Sequence, residues 1–287
     1  MAVVLSFTQV LTAHCHPTDE DRRWLEDLTD QWGILADLAF SDLICWVPEA
    51  DDNIFWAAAQ CRPTTGPTAL GDDVVGEDIT YDVEHLVTEA YLSHAIAATS
   101  SSKLDAGIPV DVHAVPVLRA GRCLAVVELH TNRMGVRAPG ALEDAYLEAA
   151  QILMGMVHRG EFPLPGDKPG EWSSPRVGDG LLRVDADAVV AFASPNAVST
   201  LRRLGWRDDL LGEDFGAVVA ALAAAQREPV DSATGGVMTV SEVREFDVET
   251  RSGAARLRVQ PLLGAHGPQG WLVLCRDMTE VRSRERQ

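Results

Sequence analysis

Apolar residues recur at helical spacing in two long segments of the chain. After Thr18, apolar side chains repeat about every 3.5 positions, which predicts a helix with one buried face. Acidic residues at positions 19–21 occupy its first turn, where the positive end of a helix favours carboxylates. A similar pattern predicts a helix over residues 141–158, and a short helix is predicted over residues 2–13. The apolar positions after Thr18 are Trp24, Leu25, Leu28, Trp32, Leu35 and Leu38.

Short apolar runs separated by turn residues predict two β-hairpins in the first half of the chain. Strands 42–47 and 54–61 flank an acidic turn, and strands 110–118 and 123–130 flank the turn at 119–122. Between the hairpins, the sequence QCRPTTGPTALGDD is a loop because its prolines and glycines oppose regular structure. A helix is predicted over residues 83–98 and a loop over 100–109. Antiparallel hairpins with helices at both ends predict an α+β fold.

Residues 161–180 are predicted to be a linker, because prolines and glycines are concentrated there and just before them. The linker separates a first domain, residues 1–160, from a second domain, residues 181–277. In the second domain, Asn196 is expected to cap a helix that ends at Gly205, and an alanine-rich helix is expected to end near residue 225. The predicted strands are 181–185, 189–193, 240–250, 255–263 and 270–276.

The last residues, 278–287, are predicted to begin a helix that leaves the second domain directly from its final strand. Asp277 and Glu280, three positions apart, fit a capping box, in which the two side chains satisfy free backbone N–H groups at the helix start. A strand that passes at once into a capped, charged helix is typical of a domain that transmits a signal. We therefore assign signal relay to Asp277, Thr279 and Glu280.

The charge and composition exclude several classes of partner. Apolar residues make up 46% of the chain, which is enough for real cores, and the net charge is −19. Such an acidic chain is not expected to bind nucleic acid or an anionic membrane directly, because phosphate binding needs clustered lysine and arginine. No apolar run approaches the roughly 20 residues that span a bilayer, and the N-terminus lacks the features of a signal peptide. Five scattered cysteines without a C-x-x-C motif indicate reduced thiols, so a cytoplasmic location is expected.

Both halves of the chain resemble known sensory folds. VPVLRAGRCLAVVELHTN is similar to the paired late strands of GAF domains. The second half, with GDGLLRVDADAVVAFASPNAVSTLRRLGW, DDLLGEDF and the terminal DMTE, resembles a PAS domain in sequence and in its order of two strands, helices and three strands. The one departure is Asp187-Ala188, where the first hairpin usually has glycine. The resemblance implies a tandem GAF domain and PAS domain, each an antiparallel sheet flanked by helices.

Longer stretches resemble the sensory half of the cytosolic sensor histidine kinases of actinobacteria. They are WGILADLAFSDLICWV followed by AAQCRPTTGPT, then SSPRVGDGLLRVDADAVVAFASPNA, then RDMTEVRSRER. This resemblance implies a homodimer, a C-terminal ATP-dependent autokinase and a response regulator that binds RNA. The sequence carries neither a histidine phosphotransfer box nor ATP-binding boxes, so this chain itself is not expected to be an enzyme. The alternatives are a GAF–PAS module of a phosphatase, nucleotide cyclase or transcription regulator, and a free-standing small-molecule binding protein.

The loop after the second strand is the predicted ligand site of the first domain. Arg62 offers a forked donor suited to phosphate, and Gly66 allows a ligand to approach the backbone. Trp46 and Trp56 in the adjoining strands are expected to stack on a base. The family resemblance implies a cyclic nucleotide such as cyclic di-GMP, or thiol sensing at Cys61, although Ala57 stands where a companion cysteine would be. The remaining candidate ligands in the loop are Thr64 and Thr65.

Each candidate also has a structural interpretation. Cys61 fits a small buried apolar residue, and Arg62-Pro63 fits a structural turn. His113 shares a strand face with Asp111 and is either a pocket residue or a satisfied core histidine; Cys45 and Cys123 fit core positions. The triplet His14-Cys15-His16 is not expected to bind metal, because adjacent residues cannot all face one ion. No bound cofactor is expected in either domain, and signal relay without a ligand is expected in the second.

Overall fold

The computed structural model describes most of the chain. The described residues are 5–50, 54–82, 85–99, 103–105, 108–134, 140–166, 175–224 and 238–285. The chain divides into two compact units, Met1–Pro139 with Leu153–Pro163, and Gly140–Ile152 with Leu164–Gln287. The predicted domain limits stay predictions.

Helices of the first unit follow the apolar pattern of the sequence. Thr18 caps the second helix as predicted, because its hydroxyl accepts a hydrogen bond from the Asp21 amide at 3.2 Å. The segment after Thr18 forms two helices, α2 and α3, with a break at Trp32, and its apolar face is buried. The N-terminal helix begins at Phe7 and continues as a π-helical turn, Leu11–Cys15. The α-helices are α1 Phe7–Val10, α2 Asp19–Gln31, α3 Gly33–Ala39 and α4 Leu86–Ser93. The next helix, α5 Ala141–His158, belongs to the second unit as far as Ile152 and to the first unit from Leu153.

The first unit contains a seven-stranded antiparallel sheet. Its order is β3-β2-β1-β7-β6-β4, with β5 paired to β6. Both predicted hairpins are confirmed, and Ala120 and Gly121 form the turn of the second with φ of 47° and 75°. The strands are β1 Ser41–Pro48, β2 Ile54–Cys61, β3 Asp78–Thr80, β4 Ala97–Ala98, β5 Lys103–Asp105, β6 Ile108–Arg119 and β7 Arg122–Asn132.

Several short elements differ from the prediction. The helix predicted over 83–98 is only α4, which stops where His94 adopts a left-handed conformation with φ of 54°. Ala97 and Ala98 instead pair with β6. Strand β5 lies in a segment predicted as a loop, and β3 lies where no element was predicted. The short strands have two or three residues each, which is too few to show an alternation of apolar and polar residues in the sequence. They form because they hydrogen-bond to a neighbouring strand.

One face of the first sheet is covered by α4, and we call it the α4 face. Its apolar core joins Ile44 and Trp46 of β1 to Ala114 of β6 and Val126 of β7. Val87 packs there from α4, together with Leu86 and Ala90. Because side chains alternate along a strand, this core fixes which residues of each strand point towards α4.

The second unit is a five-stranded antiparallel sheet with short helices, in the order β10-β11-β12-β8-β9. The five predicted strands and two internal helices are confirmed. Ala188 adopts a left-handed turn conformation with φ of 64°. This is the turn in which the domains that the sequence resembles usually have glycine. The elements are a 3-10 turn Val177–Asp179, β8 Leu181–Val184, β9 Val190–Ala193, α6 Pro195–Leu204, α7 Phe215–Ala224, β10 Arg244–Glu249, β11 Ala254–Gly264, β12 Gly267–Asp277 and α8 Thr279–Glu285.

The predicted cap of α6 was wrong by two residues. Ser194 is the N-cap, and its hydroxyl accepts from the Ala197 amide at 3.4 Å. Pro195 is the first helical residue, a position where its missing N–H costs nothing. Asn196 therefore lies inside the helix, and its side-chain amide donates to the Gly178 carbonyl at 3.1 Å. The helix ends at Gly205 with φ of 116°, as predicted.

The ends of the predicted linker are packed. Phe162 and Val177 are buried, and the Pro165 carbonyl accepts a hydrogen bond from the Val243 amide at 2.8 Å. Residues 167–174 lie outside the described residues. Over the part of the chain that the structure describes, none of the helices combines the length and hydropathy of a membrane span.

Gly270→Ala is expected to destabilise the second unit. Gly270 has φ of 95°, and an added Cβ would overlap the Val184 carbonyl oxygen. Strain and overlap together should lower the free energy of unfolding by about 2 kcal/mol or more, measured by urea denaturation. Gly178→Ala is the control, since a Cβ there meets nothing within 4 Å. Equal stability of the two variants would contradict this account.

Candidate functional site

A polar cluster interrupts the apolar α4 face. Strand β7 places Glu128 and His130 on this face, since they are two residues and four residues beyond Val126. In the sheet register, Glu128 pairs with Ile44 and His130 with Asp42. Glu128 is only 5% exposed. A carboxyl group is thus buried on a sheet face whose core is mostly apolar.

The neighbours of Glu128 favour its ionised form. Trp46 Nε1 donates to Glu128 Oε2 at 2.8 Å, and His130 Nε2 lies 3.1 Å from the same oxygen. Burial raises the pKa of Glu128, but His130, the Trp46 N–H and nearby His85 more than offset it, so the pKa lies below its usual value.

Helix α4 brings further polar groups to this side of the sheet. His85 precedes the helix, and its Nδ1 accepts from the Val87 amide at 3.2 Å. Thr88 lies in the first turn and is fully buried, and its hydroxyl has no hydrogen-bond partner in the described structure. Buried polar groups are normally partnered. The cluster therefore retains unused hydrogen-bonding capacity.

The loop over residues 62–76 is fastened to the α4 face by a buried carboxylate. Asp42 accepts from the Thr68 hydroxyl at 2.7 Å and from the Ala69 amide at 2.5 Å. The Asn132 side chain donates to the Thr68 carbonyl at 2.8 Å. The loop thus folds back onto the α4 face, where Ala69 and Leu70 join its apolar core.

The predicted ligand residues of this loop are engaged in holding its shape. Arg62 forms an ion pair with Asp73 at 2.6 Å and donates to the Asp72 carbonyl at 3.1 Å. The Thr64 amide donates to Asp37 Oδ1 at 2.7 Å, and the Thr65 hydroxyl donates to the Asp37 carbonyl at 2.5 Å.

Both ends of the predicted ligand segment contact the protein, and their part in ligand binding stays a prediction. A Cβ on Gly66 would meet Phe40 at 3.5 Å, an ordinary contact. Cys61 is buried, with its sulfur 3.8 Å from the Arg62 carbonyl. The structure therefore keeps the segment together as one loop, and its described contacts are with the protein.

The expectation that Trp46 and Trp56 hold one base is wrong. Trp46 pairs with Ala57, and both lie in the core of the α4 face. Trp56 is adjacent to Ala57, so it points to the opposite face. There its ring stacks on His14, with centroids 3.6 Å apart. An irregularity in the register between Cys45 and Trp46 changes the phase of the strand pair.

His113 and Asp111 share a strand face as predicted, but they do not line the polar cluster. Val112 and Ala114 occupy the core of the α4 face, so the residues alternating with them point away from it. Asp111 forms an ion pair with Arg133 at 3.1 Å. His113 is therefore on the opposite side of the sheet from Trp46.

The cysteines are arranged as buried thiols. All five are buried thiols outside any disulfide, including Cys123. Burial raises the pKa of Cys15, Cys45 and Cys275 to about 12, so these sulfurs are protonated and poor nucleophiles at neutral pH. Across the described residues, no three His, Cys, Asp or Glu side chains converge as a metal site.

A second polar junction ties α8 to its own unit. Asp277 Oδ1 accepts from the Thr279 amide at 2.9 Å, and Oδ2 accepts from Arg203 of α6 at 2.7 Å. The Thr279 hydroxyl donates to the Ala254 carbonyl at 3.3 Å. Burial raises the pKa of Asp277, but Thr279 and Arg203 offset this, so the pKa is lowered. The start of α8 is thus bonded to two neighbouring elements.

The capping box predicted from Asp277 and Glu280 needs correction. Helix α8 begins at Thr279, and the Met278 carbonyl accepts its first helical hydrogen bond, from the Arg282 amide at 2.9 Å. Asp277 therefore lies one residue before the cap position and bonds the amide two residues on, as in an Asx turn. The Glu280 side chain is exposed.

A shared carboxylate extends this junction. Asp247 of β10 accepts from Arg256 of β11 at 2.7 and 3.0 Å, and from Arg282 of α8 at 2.6 Å. Burial raises the pKa of Asp247, but both arginines offset it, so the pKa is lowered. One carboxylate therefore bridges the sheet and the exit helix.

Sequence reasoning missed both Glu128 and Asp247. Glu128 and His130 carried a usable signal, because two polar residues at alternate positions of the apolar run LAVVELH must share a strand face. The pairing of Asp247 with Arg282 carried none, since the two residues are 35 positions apart.

Comparison with known proteins identifies relatives over nearly the whole chain. Residues 7–150 match the family model described as the GAF domain of histidine kinase PdtaS. The sensor histidine kinase PdtaS of Mycolicibacterium smegmatis is 37% identical over 274 residues, which cover 91% of this chain and 53% of that protein. PdtaS of Mycobacterium tuberculosis is 34% identical over 270 residues, covering 91% and 54%. The chain thus spans about half the length of the curated relatives it matches.

A solved structure is similar over almost its full length. It is described as the sensor region of a sensor histidine kinase, with 30% identity and a TM-score of 0.78, and the match covers 96% of this chain and 99% of that one. The predicted resemblance to actinobacterial sensor histidine kinases, the α+β fold and the GAF domain are confirmed.

Glu128→Gln is expected to reduce the loss of the free energy of unfolding as the pH falls. Because the pKa of Glu128 is lowered in the folded state, its charge adds stability above the unfolded pKa of about 4.3, and this stability is lost as pH falls through the folded pKa. Urea unfolding from pH 7 to pH 3 should therefore show a shallower loss of stability in the variant. Glu89→Gln, an exposed change on α4, is the control. Parallel curves for wild type and Glu128→Gln would contradict the assignment.

Proposed function

The chain belongs to the PdtaS family of sensor histidine kinases, and on that basis we propose that it is the signal-input region of such a kinase. It binds a small molecule in its first unit and passes the signal through its second unit and α8 to a C-terminal autokinase. The observation that carries this proposal is the match to a histidine kinase sensor region over 96% of the chain.

The polar cluster supports ligand binding in the first unit. An ionised, buried Glu128 and a buried, unpartnered Thr88 hydroxyl lie on the α4 side of a GAF domain. A core that served stability alone would satisfy such groups or replace them with apolar ones. The remaining hydrogen-bonding capacity is what a sensor needs in order to recognise a small molecule.

The second unit is proposed to be a PAS domain that relays the signal. Its five-stranded antiparallel sheet has two helices between the second and third strands, in the order that the sequence resemblance implied. Asp277 and Thr279 bond the start of α8 to α6 and β11, and Arg282 bonds its second turn to β10. A displacement of the sheet would therefore be passed to the helix rather than absorbed by a loose connection.

Other features of the proposed kinase rest on the family alone. We propose that the complete protein is cytoplasmic and homodimeric, phosphorylates itself from ATP on histidine and transfers phosphate to a response regulator of the RNA-binding type. A cyclic nucleotide such as cyclic di-GMP stays a prediction for the ligand. Binding its phosphate through Arg62 would require the guanidinium to release Asp73.

The full coding region is expected to show histidine kinase activity that residues 1–287 lack. Labelled ATP should transfer phosphate to the complete protein in an acid-labile, base-stable linkage, because phosphohistidine has that stability. The chain described above should incorporate none. Metal-dependent phosphatase or cyclase activity in the complete protein, without phosphohistidine, would overturn the proposal.

Asp247→Asn is expected to loosen α8. The two ion pairs are partly exposed, so their combined loss should cost roughly 1 kcal/mol and raise amide exchange in residues 279–285 about fivefold. Hydrogen–deuterium exchange by mass spectrometry measures this directly. Glu242→Gln is the matched control, since Glu242 pairs with Arg244 at 2.7 Å. Unchanged exchange in Asp247→Asn would show that the bridge does not hold the helix.

A further inference from the structure

A cavity beside the turn between β6 and β7 is lined by three arginines of the first unit. Its volume is about 470 Å³, within the range of small-molecule sites. Its walls come from the start of α2, from this turn and from the residues that follow α5. The charged lining residues are Glu20, Asp21, Arg119, Arg122 and Arg159. We call this place the arginine cavity.

An aromatic ring, rather than a close ion pair, positions Arg119. Its guanidinium carbon lies 4.8 Å from the centre of the Trp24 ring, a cation–π contact. Its ion pair with Glu20 is long, at 3.5 Å, and the Glu20 side chain is 84% exposed. Such pairs contribute little to stability, because water competes for both groups. Glu20 is therefore a weak partner that another anion can replace.

Arg122 uses only part of its donor capacity within the cavity. Its Nη2 donates to Asp21 Oδ2 at 2.9 Å, and its side chain is 61% exposed. A guanidinium has five N–H donors, so further donors face the solvent. Burial raises the pKa of Asp21, but the Thr18 hydroxyl, Arg122 and then Arg119 more than offset this, so the pKa is lowered. The arginines thus already stabilise negative charge at this place.

The third arginine is held by a carboxylate that lies outside the lining. Arg159 Nε and Nη2 donate to Glu161 Oε2 at 2.9 and 2.7 Å. Arg159 lines the cavity and Glu161 does not. The walls therefore carry three guanidinium groups and two carboxylates, in a chain whose net charge is −19. A local excess of positive charge in so acidic a protein favours an anion here.

We propose that the arginine cavity binds a small dianion, such as inorganic phosphate or a dicarboxylate, whose oxygens replace the Glu20 carboxylate at Arg119 and accept from Arg122. Guanidinium groups bind both kinds of oxyanion through paired N–H donors. The site shares no residue with the loop over residues 62–76 or with the polar cluster around Glu128. It is therefore additional to the ligand site proposed above, and neither depends on the other.

Three probes test the ligand class at constant ionic strength and slightly above neutral pH. They are inorganic phosphate, malonate and malonamide, which has nearly the shape of malonate without its charge. In nuclear magnetic resonance titrations of residues 1–287, phosphate, malonate or both should shift the Ala120 and Gly160 amides saturably, and malonamide should not. Either anion supports the inference, and the one that binds more tightly identifies the preferred oxyanion. Absence of saturable shifts with both anions, or equal shifts with malonamide, overturns it.

Two variants locate the site. Arg119→Gln and Arg122→Gln should each weaken anion binding about tenfold, because a charge-assisted hydrogen bond is lost. Arg133→Gln is the matched control and should change the affinity less than about twofold, since Arg133 pairs with Asp111 at 3.1 Å outside the cavity. Arg122→Gln keeps the test available if Arg119→Gln does not fold, because its side chain is mostly exposed. Unchanged affinity in the folded variants overturns the inference.

A change of the opposite sign distinguishes this site from general attraction of anions. Glu20→Gln removes the competing carboxylate and should strengthen anion binding about threefold. Glu26→Gln removes the same charge further along α2, where Glu26 pairs with Arg22 at 3.6 Å, and should have a much smaller effect. Equal effects of the two variants would contradict a direct competition between Glu20 and the ligand and overturn the inference.

The predicted loop site provides the last comparison. Anion binding that Arg62→Gln removes and Arg119→Gln leaves unchanged would place the anion in the loop over residues 62–76 and overturn the inference. None of these measurements involves phosphohistidine, which tests the proposed kinase function in the complete protein. Failure of the anion site and failure of the proposed function are therefore distinguishable.

Discussion

A buried, ionised carboxylate is the constraint around which the first unit is organised. Glu128 is held on the α4 face by the Trp46 indole and by His130, and these contacts outweigh the cost of burial in setting its pKa. The same strand alternation that places Glu128 there places Val126 in the core. A second buried carboxylate, Asp42, fastens the covering loop to the sheet. Charge and packing on this face therefore cannot be changed independently.

Most of the fold could be predicted because it follows from local periods. The apolar repeat after Thr18, the two long hairpins and the five strands of the second unit were all predicted, since each is long enough to show its period. Strands β3, β4 and β5 were not, because two or three residues carry no period and take their order from a neighbour. The N-cap of α6 was predicted two residues too late, because Ser194 and Asn196 are both good N-cap residues. Only Pro195 between them, which suits the first helical position, favours Ser194.

The candidate site was less predictable, because it depends on which face each strand presents and on partners distant in sequence. Trp46 and Trp56 looked like neighbours, but the irregular register after Cys45 sends them to opposite faces. Arg62 and Thr65 looked free, but Asp73 and the Asp37 backbone occupy them. The buried Thr88 hydroxyl, which has no partner in the described structure, was missed because a sequence shows donors and acceptors without showing which of them are already used.

The bridge at Asp247 also restricts how this part of the molecule can diverge. Its carboxylate neutralises Arg256 within the sheet and Arg282 in the exit helix at the same time. Replacing Asp247 removes the carboxylate that both guanidinium groups share, whereas replacing either arginine leaves the other pairing intact. Among descendants of this sequence, the acidic position should therefore be the last of the three to drift, and the two basic positions should change only while it is retained.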